Sequence, residues 1–176
     1  PYVAAPGSVL KENGDPYNVF TPFLRKWQTP AVDPPIDRPV VKWLGAPTIA
    51  CDGEPHSVDP GFVLPDVGEA EALARWSKFL NGGLERYEQM RDVPAVDGTS
   101  RISADLRWGV VHPRQLLADL EPGRTDVFAS ELAWRDFYAD VLFRRPDSAW
   151  ANLNQRLDAM RVDTGAEAQR RFGLWT

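Results

Sequence analysis

Proline and glycine recur every few residues from residue 1 to about residue 65, and this pattern limits what the first part of the chain can form. Proline lacks an amide hydrogen and fixes φ at about −65°, so long helices are excluded there. The exception is segment 17–27, where Pro22 can occupy a first helical turn and Phe23, Lys26 and Trp27 would share one face. The pattern therefore predicts an extended linker that carries one short helix.

Apolar residues recur at three- and four-residue spacing after residue 65, which is typical of amphipathic helices. The spacing predicts a helix over 69–90 that Gly82 and Gly83 kink or divide. Segment 126–143 is apolar almost all the way round, as in a buried central helix. Further helices are expected over 102–108, 113–120, 148–160 and 165–174. Since no alternating strand pattern follows, we predict an all-α fold over 66–176, preceded by the extended proline-rich linker.

Charge and cysteine content exclude several classes of protein. The net charge of −5 means that any DNA site must be a local patch of Lys and Arg. A single cysteine, Cys51, cannot form an intramolecular disulfide, which fits a reducing cytoplasm. With only His56 and His112 beside it, no metal site is expected. The chain has no run of about 20 apolar residues and no secretion signal, so we expect a cytoplasmic protein without membrane association.

Small hydroxyl residues come directly before one of the predicted helices, in segment 98–103. Hydroxyl groups and the unbonded amides at the start of a helix can donate to phosphate oxygens, so the segment indicates an anion site. The alternative is an ordinary helix cap, in which Thr99 or Ser100 caps the helix that follows.

A second group of functional side chains lies on the predicted central helix. Glu131, Trp134, Arg135 and Tyr138 are spaced at i, i+3, i+4 and i+7, so they line one helical face. Indole stacks on flat rings, Arg binds phosphate and Glu accepts from ring N–H groups, so the face suits a flat heterocycle beside a phosphate. The alternative is a buried Glu131–Arg135 ion pair beside core aromatic residues.

The order of these segments resembles that of the photolyase/cryptochrome family. The resemblance is carried by Tyr87 with Arg91-Asp92, by segment 98–103, by Pro113-Arg114-Gln115 and by segment 131–138. Segment 13–23 is similar to the stretch that joins the antenna domain of this family to its flavin domain. The resemblance therefore identifies an internal fragment, with residues 1–65 as the interdomain linker and residues 66–176 as the N-terminal part of the FAD-binding catalytic domain.

The resemblance implies a class I-like deoxyribodipyrimidine photolyase, which binds FAD and uses light to split cyclobutane pyrimidine dimers in damaged DNA. The cofactor contacts that it implies are Tyr87, Thr99, Ser100, Arg101, Ile102, Ser103, Phe128 and Arg135. It gives Glu131 and Trp134 the catalytic role, one by hydrogen bonding to a flipped pyrimidine dimer and the other by stacking on it. Together with these two residues, Arg91 and Tyr138 would contact the DNA.

In the implied mechanism, light-excited reduced FAD passes an electron to the dimer, the ring splits and the electron returns. The resemblance further implies a monomer, and an antenna chromophore bound by a domain outside this chain. Two alternatives remain open: a cryptochrome-type blue-light photoreceptor that binds FAD without repair, and a catalytically inert helical fragment. The flavoprotein interpretation depends on one geometric expectation, that Glu131, Trp134 and Arg135 face a common hollow bordered by the turn at 99–103.

Overall fold

The computed structural model describes residues 2–29, 34–35, 40, 42, 61, 65–121, 123 and 126–175, and these residues form helices without a β-strand. The α-helices are α1 (Phe20–Trp27), α2 (Glu69–Gly82), α3 (Tyr87–Met90), α4 (Ser103–Trp108), α5 (Pro113–Ala118), α6 (Asp126–Arg144) and α7 (Gly165–Trp175). Short 3-10 turns lie at Leu84–Arg86, Pro146–Ala149 and Gln155–Ala159. The prediction of an all-α fold is confirmed.

The predicted linker helix is α1, and it is held to the body of the protein by aromatic side chains. Phe23 and Trp27 are buried at 1% and 4% exposure, whereas Lys26, which was expected on the same face, is exposed. Pro22 stands in the first turn, where its missing amide hydrogen costs no helical bond. The predictions for Cys51 and His56 fall outside the described residues.

Gly82 and Gly83 divide the long predicted helix, as expected. Helix α2 ends at Gly82, and one 3-10 turn leads into α3. The buried stripe of α2 consists of Ala72, Trp76 and Phe79, at the spacing of an amphipathic helix. Leu73, which follows Ala72 in the sequence, is 36% exposed.

Both short helices that follow are predicted from the sequence, but α4 begins at Ser103 and not at residue 102, and α5 ends at Ala118 and not at residue 120. Helix α4 is stopped by Gly109, which adopts a left-handed conformation with φ of 70°. Pro113 is the first residue of α5, and the side chain of His112 caps this helix by accepting from the amide of Arg114 at 3.2 Å. Gly109 and Pro113 therefore bound the short connection between α4 and α5.

Helix α6 is the central helix, because it supplies residues to both hydrophobic clusters. Phe128 and Leu132 pack with α2, α4 and α5, while Ala133 and Phe137 pack with α1 and the N-terminal segment. Each pair is four residues apart, so two different faces of one helix are covered. This accounts for a sequence that is apolar almost all the way round, and the prediction of a buried central helix is confirmed.

The predicted helix over 148–160 is wrong, since this segment forms two 3-10 turns on the surface. Its apolar side chains are exposed, at 95% for Trp150, 52% for Leu153, 49% for Leu157 and 64% for Met160. Helical spacing of apolar residues stabilises an α-helix only where a surface covers the stripe. Local hydrogen bonds prevail here instead, such as that from the amide of Arg156 to the side chain of Asn154 at 3.1 Å.

Helix α7 confirms the prediction of a helix over 165–174, although no residue of it is buried. Across the part of the chain that the structure describes, no helix combines the length and apolar character needed to cross a membrane.

Candidate functional site

The carboxylate of Glu131 is bonded to an arginine of the α3 end, not to the arginine of its own helix. Arg91 Nη1 donates to Glu131 Oε1 at 2.5 Å, and the Arg91 guanidinium lies 5.5 Å from the centre of the Tyr87 ring. The hydrogen bond to Glu131 raises the pKa of Arg91. The pKa of Tyr87 is raised by burial and then by the negative charge of Glu131. Tyr87, Arg91 and Glu131 therefore form one half-buried polar group.

Arg135 takes a different direction from Glu131. Its Nη2 donates to the carbonyl oxygen of Leu106 at 2.9 Å, and its guanidinium lies 4.8 Å from the centre of the Tyr2 ring. The alternative expectation of a buried Glu131–Arg135 pair is therefore wrong, because Glu131 pairs with Arg91.

Trp134 belongs to a group of stacked aromatic rings. The ring of Phe20 lies flat against it, with centres 3.6 Å apart and planes 9° apart. Tyr138, one turn along α6, stacks at 5.4 Å and 23°. All three rings border an open cavity of about 900 Å³. The other lining residues are Pro16, Tyr17, Asn18, Val19, Phe137, Asp140, Val141, Arg144, Arg145 and Leu153.

The hydroxyl segment borders a second hollow, of about 480 Å³, which is rich in positive charge. Its cationic and hydroxyl side chains are Arg75, Lys78, Arg86, Arg101, Thr99 and Ser100. Two of the cations are balanced by acids, since Arg75 binds Asp105 at 2.9 Å and Arg101 binds Asp97 at 3.1 Å. Lys78 and Arg86 supply the remaining positive charge, so the hollow suits an anion.

The turn that carries the two hydroxyl residues has a constrained backbone. Arg101 has a φ of 55°, the left-handed region that a non-glycine residue seldom adopts. Gly98 lies so close to Met90 that an added Cβ would be 2.5 Å from the Met90 Cβ. The N-cap of α4 is Ile102, and no side chain caps it, so the expectation that Thr99 or Ser100 is an ordinary cap is wrong.

Other predicted cofactor contacts lie in or beside the core. Ile102 and Phe128 are 2% and 5% exposed and belong to the cluster around α2. Tyr87 packs edge-on against Phe128, with ring centres 5.2 Å apart. Ser103, the first residue of α4, is exposed. Phe128 and Tyr87 thus form an aromatic wall behind the Arg91–Glu131 pair.

The expectation that Glu131, Trp134 and Arg135 face a common hollow bordered by the turn at 99–103 is wrong, because none of the three lines the hollow beside that turn. This geometry therefore gives no support to the flavoprotein interpretation. Residues at i+3 and i+4 project about 60° to one side and about 40° to the other side of residue i on a helix. Each of the three therefore contacts a different element. Three lining residues of this hollow were not predicted from the sequence: Arg75, Lys78 and Arg86. The i, i+3 spacing of Arg75 and Lys78 puts both on one polar face of α2, and this pattern could have identified them.

Among the described residues, no group of three or more His, Cys, Asp or Glu side chains is arranged to hold a metal ion. No family model matches the chain. The chain is 36% identical over 157 residues to a Halobacterium salinarum protein named deoxyribodipyrimidine photo-lyase, covering 78% of this chain and 33% of that protein. The Escherichia coli protein of the same name is 35% identical over 175 residues, covering 87% of this chain and 37% of the relative.

A solved structure has the same fold. The crystal structure of a bacterial class III photolyase from Agrobacterium tumefaciens matches 99% of this chain with a TM-score of 0.80 and 26% sequence identity. The match covers 39% of that protein. This chain thus spans between 33% and 39% of the length of these three relatives.

Proposed function

Because this chain belongs to the photolyase/cryptochrome family, we propose that the whole protein is a deoxyribodipyrimidine photolyase, a lyase that binds FAD and splits pyrimidine dimers in damaged DNA under light. Residues 66–176 would be the N-terminal part of its FAD-binding domain, and residues 1–65 the interdomain linker. The observation that carries the proposal is that α6 presents two kinds of functional side chain close together. Trp134 and Tyr138 form an aromatic wall of the cavity, and Glu131 forms a polar group with Arg91 at the end of α3.

Recognition of the lesion is assigned to Trp134 and Glu131. Enzymes that act on a base within DNA, photolyases among them, take the base out of the stack and hold it between aromatic side chains and hydrogen-bonding groups. The indole of Trp134 would stack on the pyrimidine rings. Glu131, whose side chain is 32% exposed, would accept from a pyrimidine N–H.

The bond to Arg91 orients the Glu131 carboxylate, whose oxygens act as acceptors. Arg91 itself remains 30% exposed and can contact a phosphate of the DNA backbone. Tyr138 is 62% exposed beside Trp134, where it would stack on a neighbouring base. The proposed DNA site is therefore a local one, as the acidic total charge requires.

The residues present fit FAD through the cationic hollow. Lys78 and Arg86 supply two positive charges, and the turn offers the hydroxyl groups of Thr99 and Ser100, which suits a diphosphate. Arg101, Ile102, Ser103, Phe128 and Arg135 remain predicted contacts, as does Tyr87. When bound, reduced FAD supplies the light-excited electron donor. The chain's own residues would hold the cofactor and the dimer in place and would exclude water.

Repair by the full-length protein tests the proposal. Purified protein with reduced flavin is mixed with an oligonucleotide that carries one thymine dimer, and loss of the dimer is followed under blue light and in darkness. We expect loss only in the light. Trp134→Ala should weaken binding to the damaged strand by about fivefold or more, since stacking on one base contributes ~1–3 kcal/mol. Absence of repair by protein that retains reduced flavin would contradict the proposal and favour a photoreceptor.

A further inference from the structure

The aromatic ring that stacks on Trp134 is that of Phe20, 114 residues earlier in the chain, in the segment proposed to be the linker. Phe20 is the first residue of α1, and its ring lies 3.6 Å from that of Trp134 with an interplanar angle of 9°. The same ring meets Phe137 edge-on at 5.8 Å, and Phe137 meets Trp134 edge-on at 5.6 Å. The three rings therefore form a closed group in which each contacts the other two.

Helix α1 is itself anchored to α6, so Phe20 is carried by a fixed element. Phe23 is 1% exposed and its ring lies 5.2 Å from that of Phe137. Trp27 is 4% exposed, and its Nε1 donates to the buried carboxylate of Asp136 at 3.0 Å. Two anchors, one and two turns beyond Phe20, thus determine where its ring lies.

We propose that Phe20 is a positioning residue for the lesion-stacking indole, so that the linker contributes directly to substrate recognition. The inference rests on the proposed function. An indole on a helix surface can rotate about its side-chain bonds, and stacking on a base requires one particular ring plane. A parallel ring at contact distance blocks rotation of the indole out of that plane. Phe20 therefore covers one face of the Trp134 indole and holds the plane of that ring before DNA arrives.

Binding measurements on the full-length protein test this role with three variants. Phe20→Leu removes the flat ring, Phe20→Tyr restores one, and Phe143→Leu makes the same change on α6 at an exposed ring that lies against Gly7, outside this group. The readout is the ratio of affinities for one duplex with and without a single thymine dimer. We expect Phe20→Leu to lower this ratio roughly two- to tenfold, the range for loss of an aromatic pair. Phe20→Tyr and Phe143→Leu should keep it within about twofold of wild type.

A measurement without DNA checks the geometric part separately. With 5-fluorotryptophan incorporated, the ¹⁹F resonance of Trp134 is assigned by its loss in Trp134→Phe. Phe20→Leu should shift this resonance, because the ring current of the parallel phenyl group is lost, whereas Phe143→Leu should leave it in place. An unshifted resonance, or an unchanged affinity ratio in Phe20→Leu, overturns the inference.

The two experiments separate failure of the inference from failure of the proposed function. If the wild-type protein shows no preference for the dimer, the proposed function fails, and the lesion-positioning role of Phe20 fails with it. If wild type prefers the dimer and Phe20→Leu retains that preference, only the inference on Phe20 is wrong. Lower stability alone would reduce affinity for both duplexes and would leave their ratio unchanged.

Discussion

The indole Nε1 of Trp27 donates to the carboxylate of Asp136 at 3.0 Å, in the interior of the protein, and this bond joins α1 to the central helix α6. The same carboxylate accepts from the amides of Val3 and Ala4, at 3.4 and 2.8 Å. One turn later, Asp140 accepts from the amide of Gly7 at 2.6 Å. Two buried carboxylates on α6 therefore hold both the N-terminal segment and α1.

Asp136→Asn should destabilise the protein by ~2–4 kcal/mol. In the wild type three N–H groups donate to the two carboxylate oxygens, and in the variant an amide NH2, which cannot accept, would replace one of these oxygens. Asp136 is 3% exposed, so water cannot replace the lost bonds. Urea unfolding of the two proteins measures the difference. Asp147→Asn is the matched control: Asp147 pairs with Arg145 on the surface and should change stability by less than about 1 kcal/mol. A loss for Asp136→Asn no larger than that of the control would contradict this account.

Gly98→Ala should destabilise the turn that carries Thr99 and Ser100. The added Cβ would approach the Met90 Cβ to 2.5 Å, so α3 and the turn must move apart, at a cost of ~1–3 kcal/mol. Gly82→Ala is the control, since its added Cβ meets nothing within 4 Å and should be neutral or slightly stabilising. Thermal unfolding of both variants gives the comparison, and equal melting temperatures would show that the close approach carries no cost.

Much of the helical framework could be predicted because its signals are local. Gly82, Gly109 and Pro113 mark helix ends through their own backbone chemistry, so the sequence alone locates them. The contact of Phe20 with Trp134 could not be predicted, because it joins residues distant in sequence through the fold. The error over 148–160 has the same origin, since apolar spacing reports the face of a helix and not the surface that covers it.

The candidate site divides in a similar way. The helical spacing of Glu131, Trp134 and Arg135 correctly puts them on neighbouring positions of α6, but it says nothing about what each side chain meets. Arg91 and Leu106 decide that, and both come from other elements. A 100° step between successive residues is enough to send side chains on one broad face to three different partners.

Acidification should destabilise the protein through His112. Burial, followed by nearby positive charges including those of Arg114 and Arg135, lowers the pKa of this imidazole. Its neutral Nδ1 accepts from the amide of Arg114, so protonation removes the cap of α5. The folded-state pKa of this base lies below its unfolded value of about 6.5, so the folded protein takes up fewer protons than the unfolded chain. The contribution of His112 to the free energy of unfolding is therefore complete above about pH 6.5 and is lost as the pH falls below it.

The variant His112→Asn separates this effect from other titrations. Asparagine can cap a helix at any of these pH values, so the variant should lose less stability than wild type between pH 7.5 and pH 5.5. Urea unfolding at the two pH values measures each loss. Equal losses in the two proteins would show that His112 does not contribute to the acid sensitivity.

Retention of FAD should depend on the two cations of the hollow that acids do not balance. Lys78→Ala and Arg86→Ala in the full-length protein should each weaken FAD binding by up to about fivefold, the range for a solvent-exposed charge pair. Added salt should weaken FAD binding by wild type more than by the double variant, because screening acts on the charges that the variant lacks. Flavin fluorescence on dilution measures the affinity.

Lys26→Ala provides the control for that experiment. Lys26 is an exposed lysine of α1 outside the hollow, so its removal changes the net charge by the same amount without touching the proposed diphosphate site. If the control weakens FAD binding as much as Lys78→Ala does, the effect is one of total charge. If all three variants bind FAD as wild type does, the hollow between α2 and the 99–101 turn does not hold the diphosphate, and the fit argued for the cofactor fails at this position.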